Sequence, residues 1–140
     1  DDRAGMCSPE IIPEADAYVP LPMAELPAQM EITPWTAIVL TTRGSDVDVI
    51  GLPALLNTPA GYIGLIGSRR RWEITCKQLS EQGVEDAELG RVRSPIGLEL
   101  NAETPEEIAV SIMAEVLMLR LGGHGQAMSR QEADVKAPAG

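Results

Sequence analysis

The residues best suited to binding a ligand are Gly67-Ser68-Arg69-Arg70, which follow the apolar segment Tyr62–Ile66. A strand that ends in Gly-Ser and turns into a helix presents backbone N–H groups where the helix dipole attracts an anion. Three successive arginines, Arg69–Arg71, oppose that dipole. Either a bound phosphate or carboxylates of the chain or of a partner must compensate them, and the sequence favours neither alternative. Gly67, Ser68, Arg69 and Arg70 are therefore candidate cofactor-binding residues.

A second candidate is Asp2, in the opening Asp1-Asp2-Arg3. An acidic residue at the end of the second strand of a dinucleotide fold binds a ribose hydroxyl. The alternative is that two acids near a chain end are simply solvated, and the glycine-rich loop that precedes such an acid in dinucleotide folds is not in this chain.

Catalytic groups are not evident. The single histidine, His124, lies at the start of a polar tail, and Glu106-Glu107 are explained by helix capping and the helix dipole. The segment Pro95–Leu98 indicates a shaped turn more than a catalytic loop. We therefore predict no catalytic residue, and a protein that is more a binding factor than an enzyme.

The two cysteines, Cys7 and Cys76, are far apart and form no CxxC pair or Cys/His cluster, so we predict free thiols and no metal site. Cys76 is in helical phase with Trp72 and Leu79, which indicates a thiol that faces the core. Cys7 is expected in a loop. Neither thiol is expected to be essential for chemistry.

The elements that must position these residues follow a β-α-β pattern. Thr36–Thr41 and Tyr62–Ile66 are β-prone apolar segments without alternation, as expected of parallel strands that are covered on both faces. The segment Asp46–Leu56 between them predicts a helix that Gly51 and Pro53 weaken. Such crossovers are almost always right-handed and join parallel strands. The fold class is therefore α/β.

The other predicted elements are a strand at Asp16–Val19, a helical or turn segment at Pro22–Gln29, helices from Gly67-Ser68 to Gln82 and at Glu85–Leu89, a last strand within Arg93–Leu100, and a helix at Pro105–Leu121. Thr104-Pro105 with Glu107 is a capping box with proline at the first helical position. The stripe Ile108, Ile112, Val116 and Leu119 predicts that this last helix is largely buried against the sheet.

Length and composition indicate one globular domain. The chain has 140 residues, 44% of them apolar, and a net charge of -10 that argues against nucleic-acid binding. No apolar segment is long enough to cross a bilayer and no signal peptide is evident, so we expect a cytoplasmic protein without membrane contact. Residues 1–122 are predicted to form the domain, and 123–140 a disordered tail.

Three linked motifs carry a resemblance to a known family. They are Tyr62–Arg70 (YIGLIGSRR), Ser94–Leu98 (SPIGL) and Glu103–Ile112 (ETPEEIAVSI). In type, order and spacing they resemble the Rossmann domain of the XdhC/CoxI accessory proteins. The resemblance implies a partial Rossmann-like doubly wound parallel sheet with three α/β/α layers, which lacks its first βαβ portion.

The same resemblance implies a function. It is that of a chaperone, or a fragment of one, that binds molybdenum cofactor, or alternatively a nucleotide, and assists its insertion into a molybdenum hydroxylase apoenzyme. A sulfurating cysteine desulfurase is a further implied partner. The family commonly has Thr-His-Asp after the strand matched by Thr36–Thr41, where this chain has Thr41-Thr42-Arg43. Thr41 and Thr42 join the candidate cofactor-binding residues, but no histidine role can be transferred.

Two other classes of function stay open at this point. A Rossmann-like fold also suits a fragment of an NAD(P)-dependent oxidoreductase, because fold does not fix function. A non-catalytic oligomerisation module is the third reading. The missing first strand would leave an edge of Thr36–Thr41 unpaired, so we expect self-association or a completing chain.

Overall fold

A three-stranded parallel sheet organises the chain. The computed structural model describes residues 1–3 and 5–129. The strands are β1 (Ala37–Leu40), β2 (Tyr62–Leu65) and β3 (Val92–Arg93), in the spatial order β1-β2-β3. Ile38 lies opposite Ile63, and Ile63 opposite Val92. The parallel α/β class and the partial Rossmann-like sheet are thus confirmed.

Five α-helices and one short 3-10 helix occur in the described residues. They are the 3-10 helix Met23–Glu25, α1 (Leu26–Gln29), α2 (Ser45–Leu56), α3 (Arg69–Glu81), α4 (Asp86–Leu89) and α5 (Pro105–Leu121). Pro53 lies inside α2 without dividing it. Gly51 of α2 has a packing role, because a Cβ at this position would collide with the side chain of Met23. None of these helices is long and apolar enough to span a membrane.

The core lies between β2 and the pair α2 and α3, which contact each other. All four residues of β2 are buried, as expected of a central parallel strand. The largest fully buried apolar side chains are Leu52, Leu55, Ile63, Leu65 and Leu79. Trp72 and Cys76 of α3 are half-buried against this cluster, so the predicted core-facing position of Cys76 is confirmed. Trp35, just before β1, is 72% exposed.

The chain divides into two compact units, residues 1–96 and 97–140, and the second is described up to residue 129. In the second unit the segment after Ile96 is held on α5. Gly97 N–H donates to the Glu115 carboxylate at 2.9 Å, and the Ser111 hydroxyl donates to the Leu98 carbonyl at 2.5 Å. Thr104 and Glu107 form the predicted capping box, and Gly122 ends α5 in the left-handed conformation.

One predicted strand, Asp16–Val19, is absent, and the predicted last strand is shorter than expected. Asp16–Val19 is irregular: prolines at positions 13, 20 and 22 flank it, and the Tyr18 hydroxyl donates to the Ile12 carbonyl, which holds a local loop. The last strand is only Val92–Arg93, and residues 94–100 form turns. Proline at position 95 removes a backbone donor there, so the ladder stops.

The prediction that α5 is largely buried against the sheet concerns two different units and stays a prediction. Only Ser111 and Ile112 of this helix are buried. Its exposed large apolar side chains are Val110, Met113, Leu117, Leu119 and Leu121. Leu119 belongs to the predicted apolar stripe, and the other four lie outside it.

The predicted tail begins beyond α5. Residues 123–127 form neither helix nor strand, and residues 128–129 form bends. Residues 130–140 lie outside the described part of the chain. Disorder over 123–140, and a domain boundary at residue 122, stay predictions.

Candidate functional site

A buried ion pair lies between the helices that follow β1 and β2. The Asp48 side chain in α2 is fully buried, and its Oδ2 accepts from Arg71 Nη2 at 2.6 Å and from Nε at 3.1 Å. Arg71, in the first turn of α3, has a side chain only 22% exposed. Two guanidinium nitrogens thus donate to the same carboxylate oxygen, which makes a charge-assisted pair.

Thr42 joins this pair to the end of β1. Its carbonyl accepts from Arg71 Nη1 at 3.0 Å and its hydroxyl accepts from Nη2 at 2.7 Å. The same hydroxyl donates to Asp48 Oδ1. All the polar groups of this cluster are thus satisfied by each other, as a buried network requires. The loop after β1 and the start of α3 are held at fixed positions.

Helix α3 begins after Ser68, where the sequence predicted a helix start. Ser68 is the N-cap: its hydroxyl accepts from Arg71 N–H at 3.2 Å, and its carbonyl accepts from Trp72 N–H at 3.1 Å. Gly67 lies against Arg71, since a Cβ there would approach Arg71 Cδ to 3.2 Å. The amides of Ser68, Arg69 and Arg70 have no hydrogen bond within the described residues.

The three arginines therefore divide between the two alternatives that the sequence leaves open. Arg71 is paired with a carboxylate of the chain, Asp48. Arg69 and Arg70 are exposed and form no ion pair within residues 1–3 and 5–129. Asp48 and Arg71 were not among the candidate residues. Their signal was the third arginine of the run and a second aspartate, one turn into a helix that is apolar after it.

A cavity of about 420 Å³ opens at the carboxyl end of β1. Its lining includes Thr41, Thr42 and Asp2 from the candidate set, but Gly67, Ser68, Arg69 and Arg70 do not line it. Most of the remaining lining is apolar and comes from β1, α2 and the segment that ends in α1: Leu21, Pro22, Met23, Ala24, Leu26, Val39, Leu40, Val47, Ile50 and Gly51.

The rim of this cavity is charged. Arg43 Nη1 lies 3.3 Å from Asp2 Oδ1, and Arg3 Nη2 lies 2.6 Å from Asp1 Oδ2. The hydrogen bond from Arg43 lowers the pKa of Asp2. Asp2 thus lies at the rim of the cavity beside β1, and its carboxylate is paired with an arginine.

The structure consequently brings the candidates into two adjacent groups. One group, Asp2, Thr41 and Thr42, faces the cavity, and the other, Gly67 to Arg70, forms the start of α3. Arg71 connects them through Thr42. Both groups lie at the carboxyl ends of parallel strands, which is where ligands bind in open α/β sheets. No group of three potential metal ligands is found in the described part of the chain.

Cys76 offers a direct check on the packing of α3. Burial, and to a smaller extent the Asp86 carboxylate, raise the pKa of its thiol, which lowers the thiolate fraction at neutral pH. We expect Cys76 to react with iodoacetamide more slowly at neutral pH than a cysteine in the unfolded chain, and faster as the pH rises. Mass spectrometry of tryptic peptides measures the rate. Equal rates in the native and the urea-unfolded protein would contradict this packing.

Comparisons with known proteins give a consistent family. The family model described as the XdhC Rossmann domain matches residues 1–116. An uncharacterised protein of Escherichia coli K12, YqeB, is 33% identical over 101 residues, 72% of this chain and 18% of that protein. A Bacillus subtilis 168 protein, named as a probable component of xanthine dehydrogenase, is 32% identical over 120 residues, 86% of this chain and 34% of that protein.

Two more similarities bear on function. A protein of Escherichia coli K12 named molybdenum cofactor insertion chaperone PaoD is 29% identical over 94 residues, 67% of this chain and 30% of that protein. A crystal structure titled as a xanthine dehydrogenase from Bacillus halodurans superimposes with a TM-score of 0.71 and 30% identity, over 87% of this chain and 36% of that one. The chain spans about a third or less of the length of each of these proteins.

Proposed function

The chain belongs to the XdhC Rossmann-domain family, and from that premise we propose that it binds molybdenum cofactor and assists its insertion into a molybdenum hydroxylase. The observation that carries the proposal is the exposed pair Arg69-Arg70 at the start of α3, where the backbone amides of these residues and of Ser68 have no partner in the described residues. This arrangement suits a phosphate group. Molybdenum cofactor carries one.

The phosphate end is the part of the cofactor that these residues fit. The Arg69 and Arg70 guanidiniums are available for charge-assisted hydrogen bonds, because Arg71 already neutralises Asp48. Ser68 contributes to the site as the cap that orients the helix start, since its hydroxyl is occupied by the Arg71 amide. Thr41 and Thr42 would line the adjoining surface at the end of β1. The described residues suggest no protein ligand for the molybdenum itself.

The proposed recipient follows from the names of two relatives. One is named as a molybdenum cofactor insertion chaperone and one as a probable component of xanthine dehydrogenase. We infer from these names that the recipient is a molybdenum hydroxylase apoenzyme. The family resemblance, and not a relative's name, supports the proposal of a cytoplasmic protein with a sulfurating cysteine desulfurase as a second partner. The inference from the names is drawn from whole proteins, and this chain is similar to about a third of each of them.

The test is the replacement of Arg69 and Arg70 with Gln. Each substitution should cost about 1 kcal/mol in binding, or roughly fivefold in Kd, because it removes one charge-assisted hydrogen bond at an exposed site. The folded wild-type protein and both single variants are titrated at matched salt. The probes are molybdopterin released from a purified molybdenum enzyme and, separately, inorganic pyrophosphate.

Lys77→Gln is the matched control, because it removes one exposed positive charge from the same helix, two turns away from its start. This variant should bind both probes as the wild type does. Should all the variants and the wild type have the same affinity for both probes, Arg69 and Arg70 would have no role in anion binding. NAD serves as a third probe: tighter binding of NAD than of molybdopterin would favour the oxidoreductase-fragment reading.

A further inference from the structure

We propose that Arg71 is a positioning residue of the cofactor site, which consists of Arg69-Arg70 at the start of α3 and the loop after β1. Arg71 fixes these two groups relative to each other, so that one ligand contacts both. This inference rests on the proposed function and names the residue on which the selectivity of that site depends. The contact with the phosphate itself stays with Arg69 and Arg70.

The guanidinium of Arg71 reaches two different elements. Its Nε and Nη2 donate to Asp48 in α2, at 3.1 and 2.6 Å. Its Nη1 and Nη2 donate to the Thr42 carbonyl and hydroxyl, at 3.0 and 2.7 Å. All the nitrogens of this planar, rigid group are therefore engaged. The start of α3 is thus held against the end of β1 through this one side chain.

The backbone of Arg71 is fixed at the same point. Its N–H donates to the Ser68 hydroxyl at 3.2 Å, and the hydroxyl of the fully buried Thr75 donates to its carbonyl at 3.1 Å. Arg69 and Arg70 lie between the Ser68 cap and this anchored residue. A displacement of Arg71 would therefore also displace the two residues that are assigned to the phosphate.

Thr42 is occupied by the same network. Its hydroxyl accepts from Arg71 and donates to Asp48 Oδ1, so the hydroxyl proton is already used within the chain. Thr41, the neighbouring candidate, is exposed. The contact with a ligand at the end of β1 therefore falls to Thr41, and Thr42 holds the loop in place.

A ligand is sensitive to this placement only when it contacts both groups. Pyrophosphate is small and fits against the start of α3 alone, whereas molybdopterin has a pterin ring beyond its phosphate. When two contacts belong to one ligand, affinity depends on whether the geometry allows both at once. The ratio of the two affinities is thus the readout of positioning, because a loss of folding or of charge would lower both.

The test replaces Arg71 with Lys, which keeps the positive charge opposite Asp48. A single ammonium group cannot occupy all the positions of the guanidinium nitrogens, so the connection to Thr42 is lost. The full chain is titrated at matched salt with molybdopterin and with pyrophosphate. Affinity for molybdopterin should fall about fivefold or more, and affinity for pyrophosphate should stay within about twofold of the wild type.

Arg91→Lys is the matched control. Arg91 also connects separate segments through several hydrogen bonds: it donates to three carbonyls at and after the end of α2, those of Leu56, Thr58 and Ala60. It precedes β3, and therefore lies at the end of the sheet opposite to the cofactor site. The substitution removes a comparable set of bonds, so it should lower stability similarly and leave both affinities unchanged.

A measurement on the wild-type protein keeps the test valid if Arg71→Lys does not fold. The Arg71 Nε proton, which is donated to Asp48, is followed by nuclear magnetic resonance. A ligand that contacts both groups stabilises the network between them, and by linkage it slows the exchange of this proton with solvent. Molybdopterin should therefore slow the exchange, and pyrophosphate should leave it unchanged.

Wild-type binding separates this proposal from the proposed function. If the wild type does not bind molybdopterin, the proposed function is wrong and the positioning role falls with it. If the wild type binds, three results would each overturn the positioning role alone. They are equal changes, or none, in the two affinities of Arg71→Lys, the same change of ratio in Arg91→Lys, and no effect of molybdopterin on the Arg71 Nε proton.

Discussion

Replacing Arg71 with Met is expected to reduce the free energy of unfolding by about 2–4 kcal/mol, the largest effect that a single side chain near the site should have. Among the described residues, the substitution leaves the fully buried Asp48 carboxylate without a cation and with the Thr42 hydroxyl as its one donor. Breaking a fully buried pair costs about 3–5 kcal/mol, and the loss here should be somewhat smaller because 22% of the Arg71 side chain is exposed.

Urea denaturation followed by circular dichroism measures this loss as a shift in midpoint. Arg70→Met is the matched control: the same chemical change, one residue away on an exposed side chain, should alter stability by less than about 0.5 kcal/mol. The double variant Asp48→Leu/Arg71→Met should recover much of the loss, since it removes both buried charges. Equal midpoints for Arg70→Met and Arg71→Met would show that the ion pair does not hold α2 and α3 together.

Replacing Gly97 with Ala is expected to cost about 2–4 kcal/mol in the second unit, from two causes that add. Gly97 has a φ of +97°, a conformation that side chains rarely adopt. A Cβ at this position would also collide with the Ser111 hydroxyl, which donates to the Leu98 carbonyl. Either Ser111 moves and that hydrogen bond is lost, or the turn separates from α5.

Gly83→Ala distinguishes the two causes. Gly83 has a similar φ of +89°, but no atom lies within 4 Å of a Cβ built on it. It should therefore show the backbone strain alone, about 1–2 kcal/mol. Hydrogen exchange of the Gly97 and Leu98 amides, which donate to Glu115 and Ser111, reports the loss locally. A cost for Gly97→Ala no greater than that for Gly83→Ala would mean that the close packing of the turn on Ser111 is not important for stability.

Features set by neighbouring residues could be predicted from the sequence. The Ser68 cap, the Thr104–Glu107 capping box and the Gly122 stop are local hydrogen-bonding patterns, and the structure has all of them. The apolar segments around β1 and β2 predicted parallel strands, and both strands are present. The predicted covering on both faces is correct for β2 and wrong for β1, in which only Leu40 is buried. The family motifs are also short local segments, so the resemblance to the XdhC Rossmann domain could be recognised from the sequence. The match of the family model confirms it.

Features set by distant residues could not be predicted. Asp48 and Arg71 are 23 residues apart, and nothing in the composition of either segment specifies that their side chains meet. The sequence left open whether the arginines bind a phosphate or a carboxylate, because that outcome depends on which of them points towards α2.

Trp72 gives the buried cluster an optical reporter. It follows Arg71 directly in α3 and is half-buried against the core, whereas the indole of Trp35, the other tryptophan, is largely exposed. An indole in an apolar environment emits at shorter wavelength than one in water, and the chain has no phenylalanine and only two tyrosines to add background. A Trp35→Phe variant would therefore isolate the emission of one chromophore next to the ion pair. Its red shift would follow the separation of α3 from the core in real time, in stopped-flow mixing as well as at equilibrium.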